Sequence, residues 1–193
     1  MKLITVEKED IDLRPLMTFE PQKGKSDCNI TCKRIMKRMG VYAEGASGKT
    51  SIFGAQHPQS YHQLANETSD RDGLDFYEKP YLKAIEYLDK ALENSHPVLI
   101  GVNHTYLYRG GTGINEGTID HYVIIFGRKL VKNEQRYMFW DVGNRKGGST
   151  EWYFVLKDEY KLNAEKTYKS GNKPYNVTQI RRNLNESHQI ITY

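Results

Sequence analysis

A thiol becomes a nucleophile where its surroundings favour the thiolate and can receive the charge that develops on its target, and Cys28 stands where both are available. It follows Ser26 and Asp27, two good helix N-caps, and begins the run C-N-I-T-C-K-R-I-M-K-R-M-G. Cys28, Cys32, Ile35, Met36 and Met39 recur at helical spacing, and Gly40 is a helix stop. The first turn of such a helix carries roughly half a positive charge and several unpaired backbone N–H groups, which favour a thiolate and can hydrogen-bond an oxyanion. Acyl transfer by a thiol also needs an imidazole to take its proton and a third group to hold the ring. His121 opens the strand-like run H-Y-V-I-I-F, and Asp141 closes the next one, Y-M-F-W-D; a hairpin over 127–136 would bring the two together. Asp27 works against the thiolate unless it turns away as the helix cap, which leaves an imidazolium at His121 as the main stabiliser.

Several elements must position these groups. Residues 1–21, with Pro15 and Pro21, read as a short strand or irregular arm, and 28–39 as the nucleophile's helix. Residues 45–75 are rich in Gly, Ser, Asn, Asp and His and read as a long irregular connection with a short helix near 60–65. Leu82, Ile85, Leu88 and Leu92 mark a second amphipathic helix over 79–94, closed by His96-Pro97. The period then becomes that of strands, over 97–102, 121–126, 137–141, 152–156 and 175–181. Helices first and strands after predict an α+β fold, with N-terminal helices packed on a mostly antiparallel sheet, in a single domain over 1–193. Between two of these strands, the glycine-rich loop 109–120 leads straight into His121, so Gly117 and Asp120 are candidates to line a substrate path.

Composition removes several alternatives. A chain of 193 residues with 38% hydrophobic content can fill one core without staples, and Cys28 and Cys32, four apart on one helical face, read as two thiols. Cys32, a turn deeper, is the core residue of the two. No second ligand pair completes a zinc site. The basic stripe Lys33, Arg34, Lys37 and Arg38 falls opposite the apolar face and reads as a solvated surface, so a net charge of +4 does not indicate nucleic acid. It would suit an anionic target such as a cell-wall polymer. A-E-G-A-S-G-K-T at 43–50 follows a helix end where a phosphate loop would follow a strand, and D-R-D-G-L-D at 70–75 lacks the final bidentate Glu of a calcium loop. The first twenty residues lack the apolar core of a signal peptide, and no apolar run approaches the ~20 residues needed to span a bilayer. A cytoplasmic protein, or one exported by a signal-independent secretion system, is the expectation.

Gln22 six residues before Cys28, C-N-I-T-C running into an amphipathic helix, H-P-V-L-I-G-V, D-H-Y-V-I-I-F-G and F-W-D together resemble the papain-like cysteine peptidases, most nearly the bacterial C39-like group. The resemblance runs over 22–141. It implies a papain-like α+β fold with Cys28 as nucleophile, His121 as general base and then acid, Asp141 as orienting group and Gln22 as oxyanion-hole donor. Asn29 replaces the glycine that often follows the family's cysteine and is a candidate substrate contact. The implied activity is hydrolysis of amide bonds in a peptide, a protein or peptidoglycan, by a monomer needing no cofactor. An antibacterial effector with a cognate immunity protein fits by analogy. Transglutaminase-like transfer or deamidation uses the same order of residues, and some C39-like domains only hold peptides.

Overall fold

The computed structural model describes residues 8–43, 60–70, 73–104, 119–149, 151–164 and 174–193. The strands β1 (Ile11–Asp12), β2 (Tyr42–Ala43), β3 (Tyr61–Gln63), β4 (Ala65–Glu67) and β5 (Leu74–Phe76) are short. They accompany the helices α1 (Cys28–Lys37) and α2 (Glu78–Glu93). The longer strands come afterwards: β6 (Val98–Asn103), β7 (His121–Val131), β8 (Glu134–Trp140), β9 (Trp152–Lys157), β10 (Lys161–Ala164) and β11 (Asn176–Arg181), with β12 (Asn183–Leu184) last.

Strands β6 to β11 each pair antiparallel with the next, and β11 pairs back onto β6 through Val177↔Val102 and Ile180↔Ile100. The result is a closed six-stranded antiparallel barrel. This overturns the expected papain-like α+β fold of N-terminal helices on a mostly antiparallel sheet: the chain is mostly β, and its described residues hold two α-helices. The cause is edge satisfaction. An open sheet would leave the outer N–H and C=O rows of β6 and β11 unpaired, and closure removes both edges. Every residue of β6 and of β11 is buried.

Local signals account for most of the elements. Helix α1 ends at Lys37, and the turn that follows it closes at Gly40, whose φ of +74° is the left-handed conformation that favours glycine. The β7–β8 turn is tighter than the expected 127–136 loop, because Lys132 and Asn133 both adopt positive φ and close it in two residues. The short helix expected near 60–65 is instead β3, paired with β11 by Ile180↔His62. Tertiary pairing has overridden the local pattern there.

Helix α1 buries Thr31, Cys32, Ile35 and Met36, while Arg34 and Arg38 on its outer face pair with Glu20. The expected solvated reading of the basic stripe matches this arrangement. Helix α2 is fixed to the barrel by a buried polar cluster. Arg128 donates to Asp89 at 2.9 Å and to Glu93 at 2.8 Å, Tyr137 donates its hydroxyl to Asp89 at 3.0 Å, and Lys8 pairs with the same carboxylate. Among the described residues no helix is long and apolar enough to cross a membrane.

Candidate active site

Cys28 is the first residue of α1 and half-buried. Asp27 precedes it with its carboxylate turned back to accept the Gly24 N–H at 2.7 Å, so it makes no side-chain bond to the helix it caps. Its negative charge is thereby tied into the preceding turn. The barrel brings His121 to this helix end. Val102↔His121 is the pair at the end of the β6–β7 ladder, and the ring is 3% exposed.

The imidazole Nε2 lies 2.9 Å from both carboxylate oxygens of Asp141, which is fully buried one residue beyond β8. With Nε2 occupied, Nδ1 is the nitrogen left for the thiol. Burial disfavours the imidazolium, but hydrogen bonds to Asp141 and Cys28 and the charges of both outweigh it and lift the His121 pKa to about 9. Burial likewise opposes the Cys28 thiolate; the hydrogen bond and charge of His121, then the backbone N–H groups of Tyr122 and Asn29, outweigh it and lower the thiol pKa. Both shifts favour one state, thiolate beside imidazolium. Cys32 behaves oppositely: fully buried, with its sulfur 3.6 Å from the Tyr122 carbonyl, it has its pKa driven well up by burial and then by Cys28 and Asp141.

Asp141 is held by two further donors that sequence reasoning did not find. Gly143 donates its N–H to Oδ1 at 2.6 Å, and Tyr175 donates its hydroxyl to Oδ2 at 2.9 Å. Tyr175 is fully buried, with its ring edge-on to His121 at 5.9 Å and stacked on His104 at 5.5 Å. Its own ionisation is suppressed by burial and by Asp141, so it remains a hydroxyl donor. The sequence signal for Tyr175 was only that it begins the last long strand. Its closeness to Asp141 depends on barrel closure.

The remaining expected site residues fall as follows. Gln22 is anchored beside the site by its N–H to the Val142 carbonyl at 2.8 Å, but its amide donates to the Gly24 and Lys25 carbonyls at 2.9 and 3.3 Å. Both of its side-chain N–H groups are engaged in the turn before α1, and its buried Oε1 has no partner. Asn29 carries a buried Nδ2 donor without a hydrogen-bond partner and supplies a backbone N–H to the thiolate. Asp120 accepts the His104 N–H at 3.1 Å and lies 3.3 Å from its ring Nε2, a second His–Asp pair whose histidine contacts the same Tyr175 ring as His121. Gly117 lies outside the described residues, as do positions 44–50 of the phosphate-loop-like run and 71–72 of the calcium-loop-like run. Among the described residues no group of three or more His, Cys, Asp or Glu is arranged to hold a metal ion.

No protein-family model matches the chain, and it matches neither a curated protein nor a solved structure.

Proposed function

We propose that this protein is a cysteine hydrolase of amide bonds, with Cys28 as nucleophile, His121 as acid and base, and Asp141 as orienting group. One observation carries the reading: a buried imidazole held at 2.9 Å by a buried carboxylate on one nitrogen and facing a thiol at a helix start with the other. The proposal rests on those side chains and not on a shared fold. The chain order Cys28, His121, Asp141 is that of papain-like and C39-like peptidases, and kinship with them is part of the proposal on those motifs alone.

In the reaction, the Cys28 thiolate attacks the carbonyl carbon and the carbonyl oxygen becomes an oxyanion beside the free N–H groups at the start of α1. The His121 imidazolium passes its proton to the departing amine as the C–N bond breaks, leaving a thioester. Neutral His121 then takes a proton from water, the hydroxide adds to the thioester, and the thiolate leaves with a carboxylic acid as product. Asp141 stays ionised and keeps Nε2 protonated throughout. Asn29, the next residue after Cys28, has a buried side-chain donor that is unengaged, whereas the Gln22 amide would have to give up its bond to Lys25 to serve as an oxyanion donor.

The substrate class we assign is the amide of a peptide, a protein or a peptidoglycan stem. The test compares the chain with Cys28→Ala on digested sacculi and on denatured protein, read by mass spectrometry. New amine termini with the native chain and none with Cys28→Ala support the reading. Equal products from both proteins, or ammonia release without backbone cleavage, would overturn it.

A further inference from the structure

Tyr175 holds Asp141, and His104 bears on how Tyr175 is held. The register Asn176↔Asn103 in the β6–β11 pairing sets Tyr175, one residue before Asn176, opposite His104, one residue after Asn103. Opposed residues of neighbouring strands bring their side chains together. The two rings accordingly stack, with centroids 5.5 Å apart and planes 24° from parallel. His104 is itself clamped by Asp120, which accepts its backbone N–H at 3.1 Å with one oxygen and lies 3.3 Å from its ring Nε2 with the other. Asp120 is anchored in turn, its N–H donating at 3.1 Å to the carbonyl of Val102, the residue paired with His121.

The orientation of the Tyr175 ring matters at its hydroxyl. Asp141 has a donor on each oxygen, the Gly143 N–H on Oδ1 and the Tyr175 hydroxyl on Oδ2, and both oxygens lie 2.9 Å from His121 Nε2. With one donor on each side, the carboxylate resists turning about its Cβ–Cγ bond, and a shift of either donor lets it turn away from that geometry. The hydroxyl is the Tyr175 atom farthest from the backbone, so a tilt of the ring displaces it most. Among the described residues the rings of His104, His121 and Phe139 pack on Tyr175, at 5.5, 5.9 and 6.3 Å, and the His104 ring is both the nearest and the closest to parallel. Burial, then the charge of Asp141 and, after it, that of Asp120, keep Tyr175 a neutral donor.

We propose that His104 is a positioning residue for the Cys28 reaction: stacked on Tyr175, it keeps the Tyr175 hydroxyl on Asp141 and thereby the His121 ring turned to the thiol. This role rests on the proposed Cys28–His121–Asp141 chemistry. Its route is packing, so a flat ring at this position suffices and the imidazole nitrogens are dispensable.

A double-mutant cycle on the iodoacetamide alkylation rate, in the full chain, reads that route. Cys32 is buried, so the rate reports Cys28. His104→Ala retains the backbone N–H that Asp120 accepts, and should slow alkylation at about pH 6 by roughly threefold or more while moving the pH–rate profile to higher pH. His104→Phe keeps a flat ring against Tyr175 and should recover the native rate to within about twofold. In a Tyr175→Phe background the hydroxyl is gone, and adding His104→Ala should slow the reaction by less than about 1.5-fold more. Melting temperatures are recorded alongside, because a purely structural histidine would lower them and leave the profile in place. A native rate and profile in His104→Ala, a His104→Phe protein as slow as His104→Ala, or an undiminished effect of His104→Ala in the Tyr175→Phe background would each overturn the proposal. Failure to cleave sacculi or denatured protein would instead overturn the hydrolase reading and leave the alkylation cycle readable, so the two failures are distinguishable.

Discussion

Gly143 offers a direct test of whether the His121–Asp141 geometry governs the reactivity of Cys28. A Cβ at this position would lie 2.9 Å from Asp141 Oδ1 and 3.2 and 3.4 Å from His121 Cε1 and Nε2. Carbon contacts relax at roughly 3.5 Å, so a methyl group must gain about half an ångström. The backbone cannot retreat freely, because the Gly143 N–H is bonded to that same Oδ1 at 2.6 Å. The displacement therefore falls on the carboxylate and the ring, and stretches the 2.9 Å bond between them. Overpacking of this size costs about 1–3 kcal/mol of stability. Since a misplacement of about 1 Å at a reacting group can cost on the order of 100-fold, half of it should slow the Cys28 reaction by roughly tenfold. The assay is the second-order rate of carboxamidomethylation by iodoacetamide, with urea unfolding alongside. Cys32 is buried and its thiol is held protonated, so the rate reports Cys28 alone. Gly143→Ala should react about tenfold more slowly at about pH 6, and converge on the native rate where any thiol is ionised. Gly73→Ala is the control, because its Cβ would meet only Thr68 at an ordinary 3.5 Å. A native rate at about pH 6 together with a stability change inside ~0.5 kcal/mol would refute the reasoning.

Three other perturbations follow from the same contacts. Since its pKa is lowered by His121, the Cys28 thiolate should persist to lower pH than an ordinary thiol; His121→Ala leaves burial unopposed by that imidazolium, so its alkylation profile should move to higher pH. An identical profile in the two proteins would remove His121 from the site. Tyr175→Phe deletes one hydrogen bond to a buried carboxylate and should lower the unfolding free energy by about 1.5–3 kcal/mol while also slowing alkylation, whereas a purely structural tyrosine would change stability alone. Asp89→Ala leaves the Arg128 guanidinium, 2% exposed, with Glu93 as its one remaining ionic partner among the described residues, and should cost about 3–5 kcal/mol in urea unfolding; a loss below ~1 kcal/mol would show that Lys8, Asp89 and Arg128 do not act as a buried unit.

Local chemistry made much of this chain legible. The helix start at Cys28, its stop before Gly40, the second helix and five of the six barrel strands all carry their own signals of period, cap and turn. β10 was the strand missed: its four residues Lys161–Ala164 lie behind a turn at Glu159 and Tyr160 with positive φ, too short a run to show a period. His121 and Asp141 were legible as partners because a hairpin joins their strands, and a hairpin is a local structure. The role expected of Gln22 was less secure for a related reason. A glutamine can be located by spacing, but the direction of its amide is set by the Gly24 and Lys25 carbonyls of a turn that spacing does not describe.

Barrel closure was not legible, and neither was anything that depends on it. The pairing of β11 with β6 joins segments far apart in the chain through backbone groups that every residue possesses, so no side-chain pattern distinguishes a closed sheet from an open one. That pairing delivers Tyr175 to Asp141. By itself the sequence determined which residues are chemically capable and which elements carry them, because capping, periodicity and turn formation act over a few residues. The tertiary structure alone decided which donors hold Asp141 and which way Gln22 faces, because those outcomes depend on contacts that local sequence pattern does not describe.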